Sequence, residues 1–150
     1  MTRWLVAVAL AAAACGVRTK PLPPELVQPQ PATALVASSN VDGVKLTWRR
    51  PSTYSGGKHM RDLAGFEVER ADGPDSFDFA PVTTVILDDQ TRLRQEKLMQ
   101  WTDTGVEVGQ TYRYRVIAFT SDGYRSEPST PVTIVHKKVA APPPPADETR

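Results

Sequence analysis

The residue with the most distinctive chemistry in this sequence is Cys15, the only cysteine among 150 residues. A thiol can act as a nucleophile, ligate a metal or form a disulfide. A lone thiol in a secreted chain has no disulfide partner and would be an unpaired reactive group. Cys15 stands at the end of an unbroken apolar run over residues 5–14, which follows a single positive charge at Arg3. Its chemistry therefore has to be interpreted together with that run.

The run has the parts of a secretory signal peptide. A short charged segment is followed by an apolar segment and then by small residues, the order that signal peptidases require. A membrane-spanning helix needs about 20 apolar residues, and this run has about half that number. We interpret residues 1–14 as a signal peptide. The alternative is an ordinary signal peptide after which Cys15 has no special role.

Residues 12–16, AAACG, resemble the bacterial lipobox, although Ala12 stands where that motif usually has leucine. The resemblance implies that the signal is removed before Cys15, that the thiol receives a diacylglycerol and that the new amine is acylated. A covalent lipid on Cys15 is thus the expected modification, with no other cofactor. Gly16 stands at the position where an aspartate retains lipoproteins of this family at the inner membrane. The resemblance therefore implies a bacterial cell envelope protein at the outer membrane.

No other group of residues in the sequence indicates catalysis or metal binding. His59 and His136 have no cysteine or second histidine at ligand spacing, so we expect both to be solvated. Asp88 and Asp89 are adjacent and are better read as a turn than as paired catalytic carboxylates. Nucleophile-elbow, phosphate-loop and dinucleotide motifs are missing from the sequence, and we expect no enzymatic activity and no metal.

The charge balance gives no support for nucleic-acid binding. The full chain has 18 Lys and Arg against 17 Asp and Glu, so removal of Arg3 with the signal leaves equal numbers. A nucleic-acid-binding domain usually carries a clear excess of positive charge. The partners that we expect are the membrane, reached through the lipid, and an unidentified protein or envelope polymer.

Short alternating segments separated by turns indicate the fold. Apolar and polar residues alternate over strand-length stretches, the pattern of half-buried strands. Turn-forming residues lie between these stretches, so we predict an all-β antiparallel sandwich over residues 32–136. The predicted strands include residues 34–37, 44–48, 66–70, 112–118 and 132–135, and the turns include 51–57, 71–74 and 121–123. Residues 88–100 contain helix formers without a clear apolar stripe, and we predict a loop with a short helical or irregular insert.

Proline is concentrated in the segments on either side of the predicted domain. Residues 15–31 hold five prolines, which favour an extended polyproline II spacer of up to about 50 Å. Residues 137–150 contain four successive prolines and predict a solvated tail. The predicted organisation is therefore a signal peptide, an acylated cysteine with its spacer, one domain and a tail.

Several motifs in the predicted domain resemble those of fibronectin type III domains, over about residues 30–136. They are LTW at 46–48 with Pro51, GFEVER at 65–70, WTDTG at 101–105, YRYRVIA at 112–118, and Ser126 with Pro128. The resemblance implies an immunoglobulin-like sandwich with Trp48 between its two sheets. It also implies that Tyr112 forms a tyrosine corner, with its hydroxyl bonded to backbone of the preceding loop.

Strand alternation assigns the remaining core positions. Phe66 and Val68 are expected to oppose Tyr114 and Val116 in the core, whereas Arg113 and Arg115 are expected to face solvent. Ile117 and Phe119 fall on the outward phase and are either a second interaction surface or covered by the insert at 88–100.

The best candidates for a binding patch lie in loops at one end of the predicted sandwich. Tyr54 belongs to a long loop near Arg49, Arg50, Lys58 and Arg61, and Tyr124 and Arg125 lie in the turn before the last strand. Tyrosine and arginine are favoured at interfaces, and loops on a rigid scaffold commonly carry recognition. Ordinary solvated loop ends are the alternative. Three functions remain open: a binding module, a structural spacer of an envelope assembly, and an accessory module associated with carbohydrates.

Replacing Cys15 tests the anchor. The Cys15→Ser variant lacks the thiol that would carry the lipid, and a protein with two or three acyl chains is held stably at a membrane whereas an unacylated one is not. We expect the variant to move from the membrane pellet to the soluble fraction on cell fractionation. A Cys15→Ser protein that still pellets with membranes would contradict the lipid anchor.

Overall fold

The computed structural model describes residues 21–88, 90–91 and 97–141. The elements with described bounds are one short helix and seven strands, and Gln90 and Thr91 are also helical. The helix α1 is Pro24–Val27, and the strands are β1 Thr33–Asn40, β2 Gly43–Arg49, β3 Leu63–Asp72, β4 Ala80–Ile86, β5 Leu98–Asp103, β6 Thr111–Thr120 and β7 Val132–Val135.

The strands form two antiparallel sheets packed face to face. One sheet has the order β1-β2-β5 and the other the order β4-β3-β6-β7. All of the strand pairs are antiparallel. The all-β antiparallel sandwich predicted from the alternating segments is confirmed.

The loops gather at two opposite ends of the sandwich. We call one the proximal end; it carries residues 21–31, the loops 50–62 and 121–125, and the described residues between β4 and β5, which are 87–88, 90–91 and 97. The distal end carries the loops 41–42, 73–79 and 104–110, together with residues 136–141. Backbone hydrogen bonds join the loops within each end: Ser121 N donates to Asp62 O at 2.8 Å at the proximal end, and Gly109 N donates to His136 O at 2.8 Å at the distal end.

The core lies between the sheets and is centred on Trp48. This side chain is 0% exposed, and its ring meets Phe66 of the other sheet edge-on, with centroids 5.5 Å apart. Edge-to-face contact is favourable for aromatic pairs and adds to the large apolar area that they bury. Val68, Tyr114 and Val116 are also 0% exposed, and Tyr112 is 6% exposed.

Several strands are longer than the sequence predicted, and the largest differences are at three places. β4 was not predicted, although its VTTV segment is rich in β-branched residues. β5 begins at Leu98, inside the stretch predicted as a loop, and β3 continues to Asp72, into a stretch predicted as a turn. Pairing with neighbouring strands overrides the local preference in these segments.

Two serines replace backbone partners where β6 extends beyond β7. Ser126 Oγ accepts a hydrogen bond from Ala118 N at 2.9 Å, and Ser129 Oγ accepts one from Val116 N at 3.0 Å. Both serines are buried. A buried amide without a partner is costly, so these hydroxyls allow the chain to leave the ladder without destabilising β6.

Tyr112 fixes the loop between β5 and β6. Its hydroxyl oxygen accepts a hydrogen bond from Glu107 N at 2.8 Å, and its ring lies against Tyr114. This is the arrangement that the tyrosine-corner resemblance implies. It joins the start of β6 to backbone five residues upstream.

Truncating Trp48 tests the core. We expect Trp48→Ala to lower the free energy of unfolding by about 3–5 kcal/mol, because it leaves a large cavity between the sheets. Small domains have about 5–15 kcal/mol in total, so urea unfolding should show a large shift. Val108→Ala, at a side chain that is 59% exposed, is the control. Equal stabilities for the two variants would contradict the assignment of Trp48 to the core.

Candidate binding cleft

The N-terminal segment, residues 21–31, is folded onto the proximal end. Gly56 N donates to Glu25 O at 2.9 Å, Ser55 N donates to Gln28 O at 2.8 Å, and Gln30 N donates to Thr53 O at 3.1 Å. Pro29 is among the fully buried side chains and pairs with Tyr54 in an isolated bridge.

This packing corrects the expectation of an extended polyproline spacer over the described residues of that segment. Pro24 occupies the first turn of α1, where the missing amide hydrogen costs nothing. Gly56 explains how the two segments approach so closely. A Cβ atom placed at Gly56 would lie 2.7 Å from Glu25 O, which no side chain tolerates without movement.

Tyr54 holds this arrangement in place and is only partly available as a contact residue. Its hydroxyl donates to Asp62 Oδ1 at 2.6 Å across the loop. Its side chain packs against the edge of the core. The hydrogen bond to Asp62, together with burial and the charge of that carboxylate, raises the pKa of Tyr54 to about 12.

Tyr124 and Arg125 lie on the turn after β6, beside the N-terminal segment. Thr120 closes the turn, because its amide donates to Tyr124 O at 2.9 Å and its hydroxyl accepts from Tyr124 N at 3.1 Å. Gly123 has φ 86, a conformation that favours glycine. The guanidinium of Arg125 forms an ion pair with Glu67 on the outer face of β3, and this pair raises the pKa of Arg125.

A cleft of about 330 Å³ separates the turn from the N-terminal segment. Its lining residues are Leu22, Pro24, Val27, Gln28, Tyr124 and Arg125. The structure therefore brings together two of the three predicted patch residues, Tyr124 and Arg125, and places Tyr54 outside the lining set. The apolar wall supplied by Leu22, Pro24 and Val27 was missed, because a proline-rich segment in a sequence gives no sign that it will fold back onto a domain.

A buried polar network lies near the distal end and has a structural role. Asp103 Oδ2 of β5 accepts hydrogen bonds from Arg70 of β3 at 2.9 Å and from Tyr114 of β6 at 3.0 Å. Burial and the charge of Asp103 raise the pKa of Tyr114 well above its ordinary value. The carboxylate thus joins the two sheets, and each of its oxygens has a partner, since Gly105 N donates to Oδ1 at 2.9 Å.

The outer face of the four-stranded sheet is more covered than predicted. Arg113 stacks over the rings of Phe77 and Phe79 at 4.6 and 5.6 Å, and Arg115 stacks over Phe79 at 4.3 Å. Both arginines are half-buried rather than free in solvent. These cation–π contacts place aromatic rings of the β3–β4 loop over the guanidinium groups of both arginines.

Ile117 and Phe119 do not form a second exposed surface. Ile117 is 7% exposed, and Phe119 is half-buried. A Cβ atom at the paired residue Gly65 would lie 2.8 Å from the Phe119 ring, so this ring covers the backbone of β3.

The histidines occupy different environments. His59 is exposed in the proximal loop, but His136 is 5% exposed, which corrects the expectation that it is solvated. Within residues 21–88, 90–91 and 97–141, no group of three or more His, Cys, Asp or Glu side chains is placed to hold a metal ion. Cys15 lies outside the described residues, as does Asp89. In the same described portion of the chain, no helix is long and apolar enough to cross a membrane.

Comparisons with known proteins relate the sandwich to fibronectin type III domains. A fibronectin type III-like protein from Clostridium thermocellum superposes with a TM-score of 0.53 at 21% identity, covering 75% of this chain and 98% of that protein. The fibronectin type III domain of a human protein gives a TM-score of 0.50 at 17% identity over 80% of this chain and 94% of that domain. The twitchin kinase region from C. elegans gives 0.54 at 16% identity, over 79% of this chain and 18% of that structure. The domain therefore has a fibronectin type III-like fold, as the sequence motifs implied.

One curated relative is similar in sequence. Exoglucanase B from Cellulomonas fimi is 28% identical over 135 residues, which are 90% of this chain and 10% of the exoglucanase. The chain thus spans about a tenth of the length of this relative. No protein-family model matches the chain.

The hydrogen bond of Tyr54 predicts a pH dependence of stability. The folded-state pKa of about 12 exceeds the ordinary value of 10.0, so folding favours the protonated hydroxyl. Its contribution to stability is complete below pH 10 and is lost as the pH rises through about 12. We expect the stability difference between the parent and Tyr54→Phe, measured by urea unfolding, to narrow across this interval.

Asp62→Asn is the matched variant for this measurement. It removes the charge and the acceptor that favour the protonated hydroxyl, so absorbance titration should show tyrosinate formation at a lower pH than in the parent. A parent whose Tyr54 ionises at its ordinary pH would contradict the hydrogen bond.

Proposed function

We propose that this chain is a non-enzymatic lipoprotein of the bacterial envelope, whose fibronectin type III-like domain binds a protein or an envelope polymer. The observation that carries the proposal is the cleft at the proximal end. It combines an apolar wall with the exposed ring of Tyr124 and a fixed guanidinium, the mixture that recognition sites use. The surrounding loops are tied by hydrogen bonds, so the cleft is formed before a ligand arrives.

The anchoring part of the proposal rests on the sequence around Cys15. The short apolar run, the small residues before the thiol and the lack of any other cysteine support acylation at this position. Gly16, rather than aspartate, supports the outer membrane over the inner membrane. The cofactor set in this proposal is therefore the covalent lipid alone.

The cleft supports binding rather than catalysis. The described side chains in its lining supply one phenol, one carboxamide and one guanidinium, and the guanidinium is paired with Glu67. A nucleophile with an adjacent base is what acyl or glycosyl transfer would need, and the lining residues contain neither. An ion-paired arginine instead offers hydrogen bonds of fixed direction to a bound segment.

An accessory role with carbohydrate enzymes is the second candidate, favoured by the similarity to Exoglucanase B over 90% of this chain. In this alternative the domain acts beside a polysaccharide-degrading partner. A structural spacer is the third possibility, in which the domain holds neighbours apart and the cleft has no ligand.

Cross-linking in intact cells, with the lipidated protein as bait, tests the binding role. Tyr124→Ala removes the exposed aromatic wall of the cleft without touching the core, and we expect it to lose the cross-linked partner while its melting temperature stays unchanged. Phe77→Ala, at the distal end where Phe77 is 78% exposed, should retain the partner. Equal recovery with both variants would support the spacer and contradict a role for the cleft.

A further inference from the structure

The proximal end also has the features of a surface that lies on a membrane. We propose, on the basis of the lipid anchor in the proposed function, that this end docks onto an anionic phospholipid surface through Leu22, Leu26, Lys58 and Arg61. The inference concerns the orientation of the domain and the surface that meets the bilayer, which the anchor alone does not determine. Three independent observations carry it: the length of the tether, the exposed leucines and the distribution of charge.

The tether is short because the proline-rich segment is folded onto the domain. Only six peptide links separate Cys15 from Pro21, which span at most about 20 Å in any conformation. An extended segment up to residue 31 would have allowed up to about 50 Å. A sulfur at the bilayer surface therefore keeps the proximal end close to the lipid headgroups. Short tethers give effective concentrations in the millimolar range, so weak contacts are sufficient for docking.

The leucines are the apolar contacts available at the start of this tether. Leu22 is 61% exposed and Leu26 is 42% exposed. Leu26 lies on α1 but does not line the cleft, so it is free to insert while the cleft holds a ligand. Apolar side chains beside basic residues are the combination that binds lipid interfaces.

The charge distribution supports the same orientation. Among the described residues, the proximal end has exposed cations at Arg49, Lys58, Arg61, Lys97 and Arg125, the last of them paired with Glu67, and exposed carboxylates at Glu25, Asp88 and Asp122. The distal end has exposed carboxylates at Asp42, Asp72, Asp75, Asp78 and Glu107, against exposed Lys137 and Lys138. The exposed charges of the proximal end therefore sum to a positive value and those of the distal end to a negative value. An anionic surface attracts the proximal end and repels the distal end, so the domain should stand with its distal end outward.

Docking has a consequence for the cleft. Residues 22–28 form both the membrane-facing surface and one wall of the cleft. In the docked orientation the cleft opens beside the lipid headgroups. Its ligand must then be a segment that reaches the bilayer surface, such as a membrane-attached protein or a polymer lying along the membrane.

Fluorescence quenching on vesicles tests the proposal. The lipidated protein is reconstituted into vesicles of phosphatidylethanolamine and phosphatidylglycerol that contain a spin-labelled lipid. In Leu26→Cys the new thiol is the only free one, since Cys15 is acylated, and it takes an environment-sensitive fluorophore. Val108→Cys, labelled in the same way at the distal end, is the matched control because Val108 is 59% exposed.

We expect quenching to be several-fold stronger at position 26 than at position 108. The double variant Lys58→Glu with Arg61→Glu should weaken quenching at position 26, as should vesicles of phosphatidylcholine alone. Lys137→Glu with Lys138→Glu, at the distal end, should leave it unchanged. Similar effects of the two double variants would overturn the electrostatic part of the docking.

Flotation with the vesicles separates failure of docking from failure of the anchor. A parent protein that neither floats nor carries lipid on Cys15 would overturn the anchor and the docking together. A protein that floats but shows equal quenching at positions 26 and 108 would overturn the docking alone. Protection of position 26 in intact cells but not on vesicles would also overturn it, because a protein or polymer would then cover this end.

Discussion

The contact between Trp48 and Phe66 is the interaction on which the rest of the structure depends. Trp48 belongs to the three-stranded sheet and Phe66 to the four-stranded sheet, and both are completely buried. Cys15 is the only cysteine, so no disulfide can join the sheets. Apolar burial must then supply most of the attraction between them, and these two aromatic rings bury a large apolar area.

The two ends of the sandwich are stabilised by different chemistry. At the distal end, Asp103 joins the sheets through hydrogen bonds with Arg70 and Tyr114, and such a carboxylate is tolerated inside because its oxygens have partners. At the proximal end, backbone hydrogen bonds attach the N-terminal segment to the loop that contains Tyr54. The distal end is thus held by a buried polar network, whereas the proximal end is assembled from several segments attached through their backbones. The cleft and the exposed leucines both lie at that end.

Particular residues show why the sequence predicted some features and missed others. Phe66 and Tyr114 were correctly expected to be buried, because a period of two along a strand reports which face is covered, although they lie on adjacent strands of one sheet and do not oppose each other. The burial of Trp48 was implied by the resemblance to fibronectin type III domains. β4 was not predicted because it lies at the edge of its sheet, where its side chains are only partly covered. The alternation of apolar and polar residues along it is correspondingly weak. His136 was expected in solvent because no local pattern shows that residues distant in sequence will cover it. Arg113 and Arg115 were placed on the correct face, but the aromatic rings above them come from a separate loop.

The sequence by itself determined the two-sheet fold, the aromatic core and the position of the single thiol, since each follows from residue type and short-range periodicity. Only the tertiary structure decided how the proline-rich segment is used. Local propensity favours an extended spacer there, but hydrogen bonds from Ser55 and Gly56 and the burial of Pro29 hold the segment on the domain. These contacts join residues more than twenty positions apart, and no pattern within either segment encodes them. The cleft exists for the same reason, because its two walls meet only after the chain has folded.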